Sequence, residues 1–325
     1  MPVTRRLASA LMLTLPLLAQ AQGGSWPSQP IVAVVPFSAG GSVDVAARLV
    51  MPRLAERLGQ PVVVENTVGA SGTIATQRVI KAKADGYTLL FGVASPVTVA
   101  PLVSPGRFKY DGLKELLPVV PVAASAFVLV GRPDLPAANA AELVKLVRSQ
   151  PGKFNFGTDG VGTSLHVTAE MLKQKAALDM VHVPYKSGPQ VLTELAGGQI
   201  DLAVLPVALA QGMVREGKVK GYGVTSRQRA ATLPDTPSLS ETAAFAGLDV
   251  LAWQGLLLPA GTDAAIAARL ARETAAVLAE PDTQRRLADA GFAPMAMTQA
   301  QFADYLAQEK KELAATIAAA RITVD

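Results

Sequence analysis

Short runs of β-branched and other apolar residues alternate along this chain with longer segments whose apolar residues recur at helical spacing. Strands are predicted at residues 31–35, 62–64, 87–91, 127–130, 154–156, 180–183, 200–205, 219–224 and 250–258. Helices are predicted at about 43–58, 73–83, 140–150, 165–174, 189–196, 263–279, a short segment ending near 290, and 298–321. This alternation predicts an α/β fold in which mostly parallel sheets are flanked by helices.

A Pro-rich segment at residues 101–121 separates the first group of predicted elements from a second group. We expect residues 22–124 to form most of a first lobe and residues 125–225 to form a second lobe. Residues 226–325 are then expected to return to the first lobe, with the last helices packing on it. The chain crosses twice between the lobes in this arrangement, which makes a hinge.

The N-terminus has the features of a secretory signal peptide. Arg5 and Arg6 precede an apolar run at residues 7–18, and Ala19-Gln20-Ala21 supplies a cleavage pattern. The run is shorter than the roughly 20 residues that a membrane-spanning helix needs. Residues 1–21 are therefore predicted to be removed after Ala21. The chain has no cysteine, so disulfides, thiolate chemistry and a lipid-modified cysteine are excluded.

Composition restricts the class of protein further. Half of the residues are hydrophobic and only 17% are charged, which is typical of a compact globular protein. The net charge of +4 falls to +2 without the leader, and the basic residues are scattered, so a nucleic-acid partner is not expected. Two histidines and no cysteine make a dedicated transition-metal site improbable, and no cofactor is predicted.

The first candidate site is a glycine turn at residues 36–44, which follows the first strand and opens a helix. Gly40 and Gly41 leave the backbone uncovered, and Ser42 is placed to cap the helix. The N-H groups of the first helical turn then form a seat for an anion. The candidate ligand-binding residues of this first glycine turn are Phe37, Ser38, Ala39, Gly40, Gly41, Ser42 and Asp44. An acid in the first helical turn is also explained by the helix dipole alone, so Asp44 has two interpretations.

A second glycine turn, at residues 157–166, lies between a predicted strand and a predicted helix. Its spacing is G-x-x-G-x-G and not the dinucleotide fingerprint, which argues against a nucleotide cofactor. The candidate ligand-binding residues here are Thr158, Asp159, Gly162, Thr163, Ser164 and His166. His166 is predicted either to touch the ligand or to satisfy a loop carbonyl, and His182 is predicted to be structural. Two such turns behind an export signal indicate capture of a small anionic solute.

Several segments, taken together, are similar to a known family of receptors. They are PFSAGGSVD (36–44), LGQPVVVEN (58–66), GASG (69–72), DGYTLL (85–90), GVGTSLH (160–166), VHVPYK (181–186), GGQID (197–201) and LPDTP (233–237). Their order and spacing resemble the extracytoplasmic solute receptors of the tripartite tricarboxylate transporter system, the Bug-type family.

The resemblance implies a two-lobed periplasmic-binding-protein fold, type II-like, that closes on a small carboxylate. The two glycine turns would act as pincers on a carboxyl group, and Ser95, Thr98 and Leu205 would complete the ligand site. The resemblance also implies delivery of the solute to a permease with a large and a small membrane subunit. Without a cysteine for lipid attachment, the mature protein is expected to be free in the periplasm. We also expect it to be monomeric and to have no catalytic residues.

Three features depart from the usual family pattern. Asp159 stands where a small neutral residue is common, and its carboxylate would repel a second acid or attract a ligand amine. Pro96, between Ser95 and Thr98, removes a backbone donor, and Leu205-Pro206-Val207 makes the far wall apolar. These departures favour a monocarboxylate or a dicarboxylate over a tricarboxylate.

Two other functions stay open at this point. An exported hydrolase would use Ser164 or Ser71 with a histidine, but the chain lacks a G-x-S-x-G elbow at these serines. A sensory receptor that docks on a membrane kinase when loaded would have the same solute site as a transport receptor. The sequence does not separate sensing from transport.

Overall fold

The structure, a computed structural model, describes residues 26–322, so the predicted signal peptide lies outside the described residues. The strands of this part of the chain are β1 Ile31–Val35, β2 Val62–Asn66, β3 Thr88–Gly92, β4 Leu116–Gly131, β5 Phe154–Thr158, β6 Met180–Pro184, β7 Leu202–Pro206, β8 Lys220–Val224, β9 Leu251–Pro259 and β10 Ala293–Pro294. Its α-helices are α1 Ser42–Leu58, α2 Thr73–Ile80, α3 Ala100–Val103, α4 Gly112–Glu115, α5 Ala140–Arg148, α6 Ser164–Lys175, α7 Gly188–Ala196, α8 Val207–Arg215, α9 Ala264–Leu278, α10 Pro281–Asp289 and α11 Gln299–Ala320. Within the described chain, none of the helices has both the length and the apolar character that crossing a membrane requires.

The sheet of the first lobe has a parallel core in the order β2-β1-β3, and β9 joins it antiparallel to β3. Strand β1 is apolar on both faces, as expected for a central strand covered by helices. Ile31 and Val35 belong to the apolar cluster that packs against α1, and Val34 belongs to the cluster on the opposite face, with Val79 of α2. The carboxyl end of β1 therefore lies at an edge of the sheet where the first glycine turn begins.

The second lobe repeats this arrangement with β6-β5-β7 in parallel. Strand β7 then pairs antiparallel with β4, and β8 pairs antiparallel with the other side of the same segment of β4. Phe127, Phe156 and Leu202 lie in one apolar core, which holds the two parallel strands against α6 and α7. The predicted two-lobed α/β fold is confirmed.

Strand β4 connects the lobes, and it is longer than predicted. Its residues 116–126 pair with β9, and residues 127–131 pair with β7 and β8. The sequence analysis expected a strand only from residue 127, because Pro118 and Pro121 interrupt the apolar run. The register shifts between Pro118 and Val120 and again between Pro121 and Ala123, so bulges accommodate both prolines within the strand.

The segment after β8 packs with the second lobe before the chain returns. Leu239, Phe245 and Leu248 belong to the same apolar core as Phe127. We therefore propose that the return to the first lobe begins at β9, near residue 250, and not at residue 226. The other lobe boundaries stay predictions.

The C-terminal helix α11 packs through a stripe of apolar residues on one face. Phe302 and Leu306 are fully buried in the same cluster as Trp253, whose ring lies edge-on to that of Phe302 at 5.5 Å between centroids. Val167 of α6 belongs to that cluster too. Helix α11 therefore contacts both lobes and lies behind the space between them.

Candidate functional site

A cleft between the lobes is lined by residues from both glycine turns. It encloses about 850 Å³, including the part that is open to solvent. The sequence-predicted residues that line it are Phe37, Ser38, Gly41, Ser42, Ser95, Asp159 and Ser164. Two segments that are more than 100 residues apart in the chain thus contribute to one cavity.

The first glycine turn presents an uncapped helix N-terminus to this cleft. Gly40 adopts a φ of 78°, which only glycine takes readily, and the Gly41 N-H donates to the Ser38 carbonyl at 3.2 Å. Helix α1 then begins at Ser42 without any side-chain cap. Ser42 and Val43 line the cleft, so the first backbone N-H groups of α1 lie at its wall. An anion is the ligand that such a helix end favours.

Asp44 holds the shape of this turn and does not line the cleft. Its buried carboxylate accepts hydrogen bonds from the Gly40 N-H at 3.0 Å, from Arg48 Nε at 2.9 Å and from Asn66 Nδ2 at 3.0 Å. Burial alone would raise the pKa of Asp44, but these hydrogen bonds hold it below its ordinary value. Asn66 Nδ2 also donates to the Phe37 carbonyl at 2.9 Å, and the sequence analysis did not identify this support.

The second glycine turn is tied to the first lobe by serine hydroxyls. The Ser164 N-H donates to Ser95 Oγ at 2.8 Å, and Ser95 Oγ donates to Ser164 Oγ at 2.9 Å. Ser71 Oγ of the first lobe donates to the Val161 carbonyl at 2.9 Å. The lobes are therefore in contact across the cleft in this structure.

Two histidines support the second glycine turn from behind the cleft. His166 Nδ1 accepts from the Gly162 N-H at 3.1 Å, and its ring stacks on that of His182 at 3.9 Å. His182 Nε2 lies 2.6 Å from Thr158 Oγ1. Burial lowers the pKa of His166 to about 4 and that of His182 to about 3, so both rings are neutral near pH 7. Neither ring lines the cleft.

Asp159 is the acidic group of the second glycine turn, and it does line the cleft. Its Oδ1 atom is buried and has no hydrogen-bond partner. Burial raises the pKa of Asp159 to about 6, although hydrogen bonding to Thr163 acts in the opposite direction. Asp159 therefore keeps one buried carboxyl oxygen without a hydrogen bond from the described residues.

Comparison with known proteins identifies the family. The family model TctC, described as tripartite tricarboxylate transporter family receptor, matches residues 46–322. The protein belongs to this family. Among its relatives is BugT of Bordetella pertussis, which is 30% identical over 98% of both chains. The predicted resemblance to the Bug-type receptors is thereby confirmed.

Solved structures of similar proteins have the same fold as this receptor. Periplasmic binding protein BugD has a TM-score of 0.85 and 30% identity, covering 92% of this chain and 99% of its own. R. palustris Rpa4515 with adipate has a TM-score of 0.87 and 28% identity, with coverage of 92% and 99%. MatC of Rhodopseudomonas palustris with bound malate has a TM-score of 0.84 and 29% identity, with coverage of 90% and 100%.

Residues that the sequence analysis missed form the rear wall of this receptor's cleft. They include Phe127, Leu165, Leu209, Trp253, Glu309 and Leu313. Trp253 Nε1 donates to Glu309 Oε2 at 2.7 Å, and burial raises the pKa of Glu309 to about 7. One signal was present in the sequence, because Glu309 interrupts the apolar stripe of α11 three residues after Leu306 and four before Leu313.

The remaining predicted site residues lie beside the cleft and do not line it. They are Ala39, Gly40, Thr98, Thr158, Gly162, Thr163 and Leu205. Thr98 Oγ1 donates to the Ala94 carbonyl at 3.0 Å inside a π-helical turn, and Thr163 caps α6 by accepting from the His166 N-H at 3.3 Å. Their contact with a ligand stays a prediction. In the described part of the chain, no group of three or more His, Cys, Asp or Glu residues is placed to hold a metal ion.

Replacing Ser95 with alanine is expected to speed hydrogen exchange at the Ser164 amide about thirtyfold. Ser95 makes two hydrogen bonds to Ser164, and each bond of this kind contributes about 1 kcal/mol. Amide exchange measured by NMR or mass spectrometry on the unliganded protein tests this. Ser149→Ala, an exposed change in the lobe that carries Ser164, serves as control. Equal exchange at Ser164 in Ser95→Ala and the wild type would show that the cross-lobe bonds do not protect this amide.

Proposed function

We propose that this protein is a periplasmic solute receptor that closes on a small carboxylate and delivers it to a tripartite tricarboxylate-type permease. One observation carries the proposal: glycine turns from opposite lobes line a single cleft, and the first of them presents the uncapped N-terminus of α1. The family supports the transporter, and two of its structural relatives hold the carboxylates adipate and malate.

Closure of the lobes has to provide most of the affinity. A helix N-terminus stabilises an anion by about 0.3–1 kcal/mol when exposed and by about 2 kcal/mol when partly buried. A micromolar dissociation constant corresponds to about 8 kcal/mol. The rear wall supplies apolar surface through Phe127, Leu165 and Leu209, and each 100 Å² of apolar ligand surface buried there adds about 2.5 kcal/mol. A monocarboxylate or dicarboxylate with an apolar chain would use both contributions, the helix N-terminus for its carboxylate and the rear wall for its apolar chain.

The hydrolase alternative has no support in the described geometry. The Ser164 hydroxyl is bonded to Ser95, and the Ser71 hydroxyl donates to the Val161 carbonyl. His166 Nδ1 accepts from a backbone N-H and not from a serine. Neither serine is therefore hydrogen-bonded to a histidine that would act as its general base.

The proposal includes export with cleavage after Ala21, a free and monomeric protein in the periplasm, and release of the solute to the permease. Sensing uses the same solute site, so the partner decides between the two roles. Capture of permease subunits by the loaded receptor would support transport, and capture of a kinase ectodomain instead would support sensing.

A thermal-shift screen of organic acids tests the proposal. We expect at least one acid of a set that includes adipate and malate to raise the melting temperature. A ligand at a hundred times its dissociation constant adds about 2.7 kcal/mol to the free energy of unfolding. The diamides of the same acids, which keep the size but lose the charge, are expected to give no shift. If no acid gives a shift, the proposed function is wrong.

A further inference from the structure

Glu309 is an acidic residue of the cleft to which the proposed function gives no role. It lies on α11, is half-buried and lines the cleft, as Leu313 does one turn later. Its Oε2 atom accepts a hydrogen bond from Trp253 Nε1 at 2.7 Å. Of the described residues that line the cleft, none is Lys, Arg or His. A carboxylate at Glu309 and a carboxylate on the solute would therefore share one cavity without a cation from its wall, and each would disfavour the charged form of the other.

The elements that pack against α11 provide no buried and unpaired cation for Glu309 within the described chain. Strands β4 and β9, helix α3 and the π-helical turn before α3 contain no ionisable side chain. The ionisable residues of α6 are His166, Glu170, Lys173 and Lys175. Lys173 Nζ is bound to Glu170 Oε1 at 2.7 Å, Lys175 is exposed at the end of the helix, and the histidine belongs to the neutral pair described above. The residue before the last turn into β9 is an acid, the exposed Asp249.

The ionisable neighbours of Glu309 on its own helix do not neutralise it either. Lys310 Nζ is bound to Asp111 Oδ1 at 2.9 Å. Burial raises the pKa of Tyr305 above its ordinary value, so this hydroxyl stays neutral. Burial also raises the pKa of Glu309 to about 7, and repulsion from Glu312 adds to this effect. Near neutral pH, the carboxyl group of Glu309 is therefore able to exchange a proton with solvent when its surroundings change.

We propose that solute binding is linked to uptake of a proton at Glu309. As the carboxylate of the solute enters the cleft, the Glu309 carboxylate takes a proton from water or buffer and becomes a neutral carboxylic acid. Trp253 Nε1 continues to donate to the carbonyl oxygen of this acid. The inference rests on the proposed function and adds its regulation by pH. Because the loaded receptor binds the proton more tightly than the free receptor, the affinity for the solute rises as the pH falls through the range in which Glu309 titrates.

Isothermal titration calorimetry at pH 8, in buffers with different ionisation enthalpies, counts the protons taken up with each solute molecule. The probe is the acid that binds most tightly in the thermal-shift screen. We expect the wild type to take up about half a proton per molecule bound, and to bind about fourfold more weakly at pH 8.5 than at pH 7. In Glu309→Gln, which keeps an acceptor for Trp253 Nε1, we expect uptake below about 0.1 proton and an affinity change of less than about twofold. Asp304→Asn, an exposed change on α11, is the matched control and is expected to behave like the wild type.

The fluorescence of Trp253 gives a second readout, because its indole donates to Glu309 directly. The chain has two tryptophans, so Trp26→Phe leaves Trp253 as the single emitter. We expect its emission to titrate with a midpoint of about 7 in the free receptor. With saturating acid the midpoint is expected to rise by about one pH unit, and in Glu309→Gln the transition is expected to disappear.

The outcomes separate this inference from the proposed function. An acid that binds without proton uptake at pH 8 would overturn the inference and leave a carboxylate receptor in place. Uptake that persists in Glu309→Gln and is lost in Asp159→Asn would overturn it as well, because the proton would then belong to Asp159, the other ionisable residue that lines the cleft in the described chain. If no acid of the thermal-shift screen binds, both the proposed function and this inference are wrong.

Discussion

Replacing Gly41 with valine is expected to weaken solute binding about a hundredfold while the fold stays intact. Gly41 lines the cleft at the N-terminus of α1, with φ −72° and ψ 162°, a conformation that valine adopts without strain. An added Cβ would meet the Ser38 carbonyl oxygen at 3.2 Å, a tight contact that the turn must relieve by shifting a few tenths of an ångström. The valine methyl groups would therefore extend into the cleft over the N-H groups of α1. Without access to the N-terminus of α1, the bound anion would lose up to about 2 kcal/mol of stabilisation. Steric exclusion of the carboxylate would add to this loss and give the expected hundredfold weakening.

The measurement is calorimetric titration of the tightest acid from the thermal-shift screen. Gly106→Val provides the control, because Gly106 is exposed and an added Cβ there meets nothing within 4 Å. The control is expected to bind like the wild type, and both variants are expected to melt cooperatively. Unchanged affinity in a folded Gly41→Val would mean that the carboxylate lies away from the first glycine turn.

The parts of the fold that depend on local sequence were predictable. The apolar run of β1 and the glycines that follow it predict a strand, a turn and a helix, and the structure has them in that order at residues 31–58. Strand β4 was predicted only in part, because local reasoning treats Pro118 and Pro121 as interruptions. Pairing with β9 on one side, with bulges at both prolines, makes the strand continuous, and this pairing depends on residues more than 120 positions later.

The same distinction holds for the site. Both glycine turns were found from their spacing, since the chemistry of a turn is local. The bond between Ser95 and Ser164 joins two lobes, and the link from Trp253 to Glu309 joins a strand to the C-terminal helix. Tertiary packing determines such contacts, so they leave almost no periodic pattern of apolar and polar residues in the sequence. The hydrogen bonds that Asp44 and His166 make within their own turns could not be predicted from the sequence for the same reason.

Replacing Asp159 with asparagine is expected to stabilise the unliganded protein at pH 8 and to leave its stability unchanged near pH 4. In the folded state, burial raises the pKa of Asp159 from its ordinary 3.8 to about 6. The folded protein therefore binds this proton more tightly than the unfolded chain does, and the free energy of unfolding decreases as the pH rises between these two values. Above pH 6 the charged carboxylate costs about 2 kcal/mol, after allowance for its partial exposure to solvent.

Asparagine has nearly the same shape and no charge, so Asp159→Asn is expected to gain about 2 kcal/mol in the free energy of unfolding at pH 8. Urea denaturation of wild type and variant at pH 4 and pH 8 measures the difference, with Asp304→Asn as the exposed control. An equal difference at both pH values would show that the charge of Asp159 carries no cost in the empty cleft.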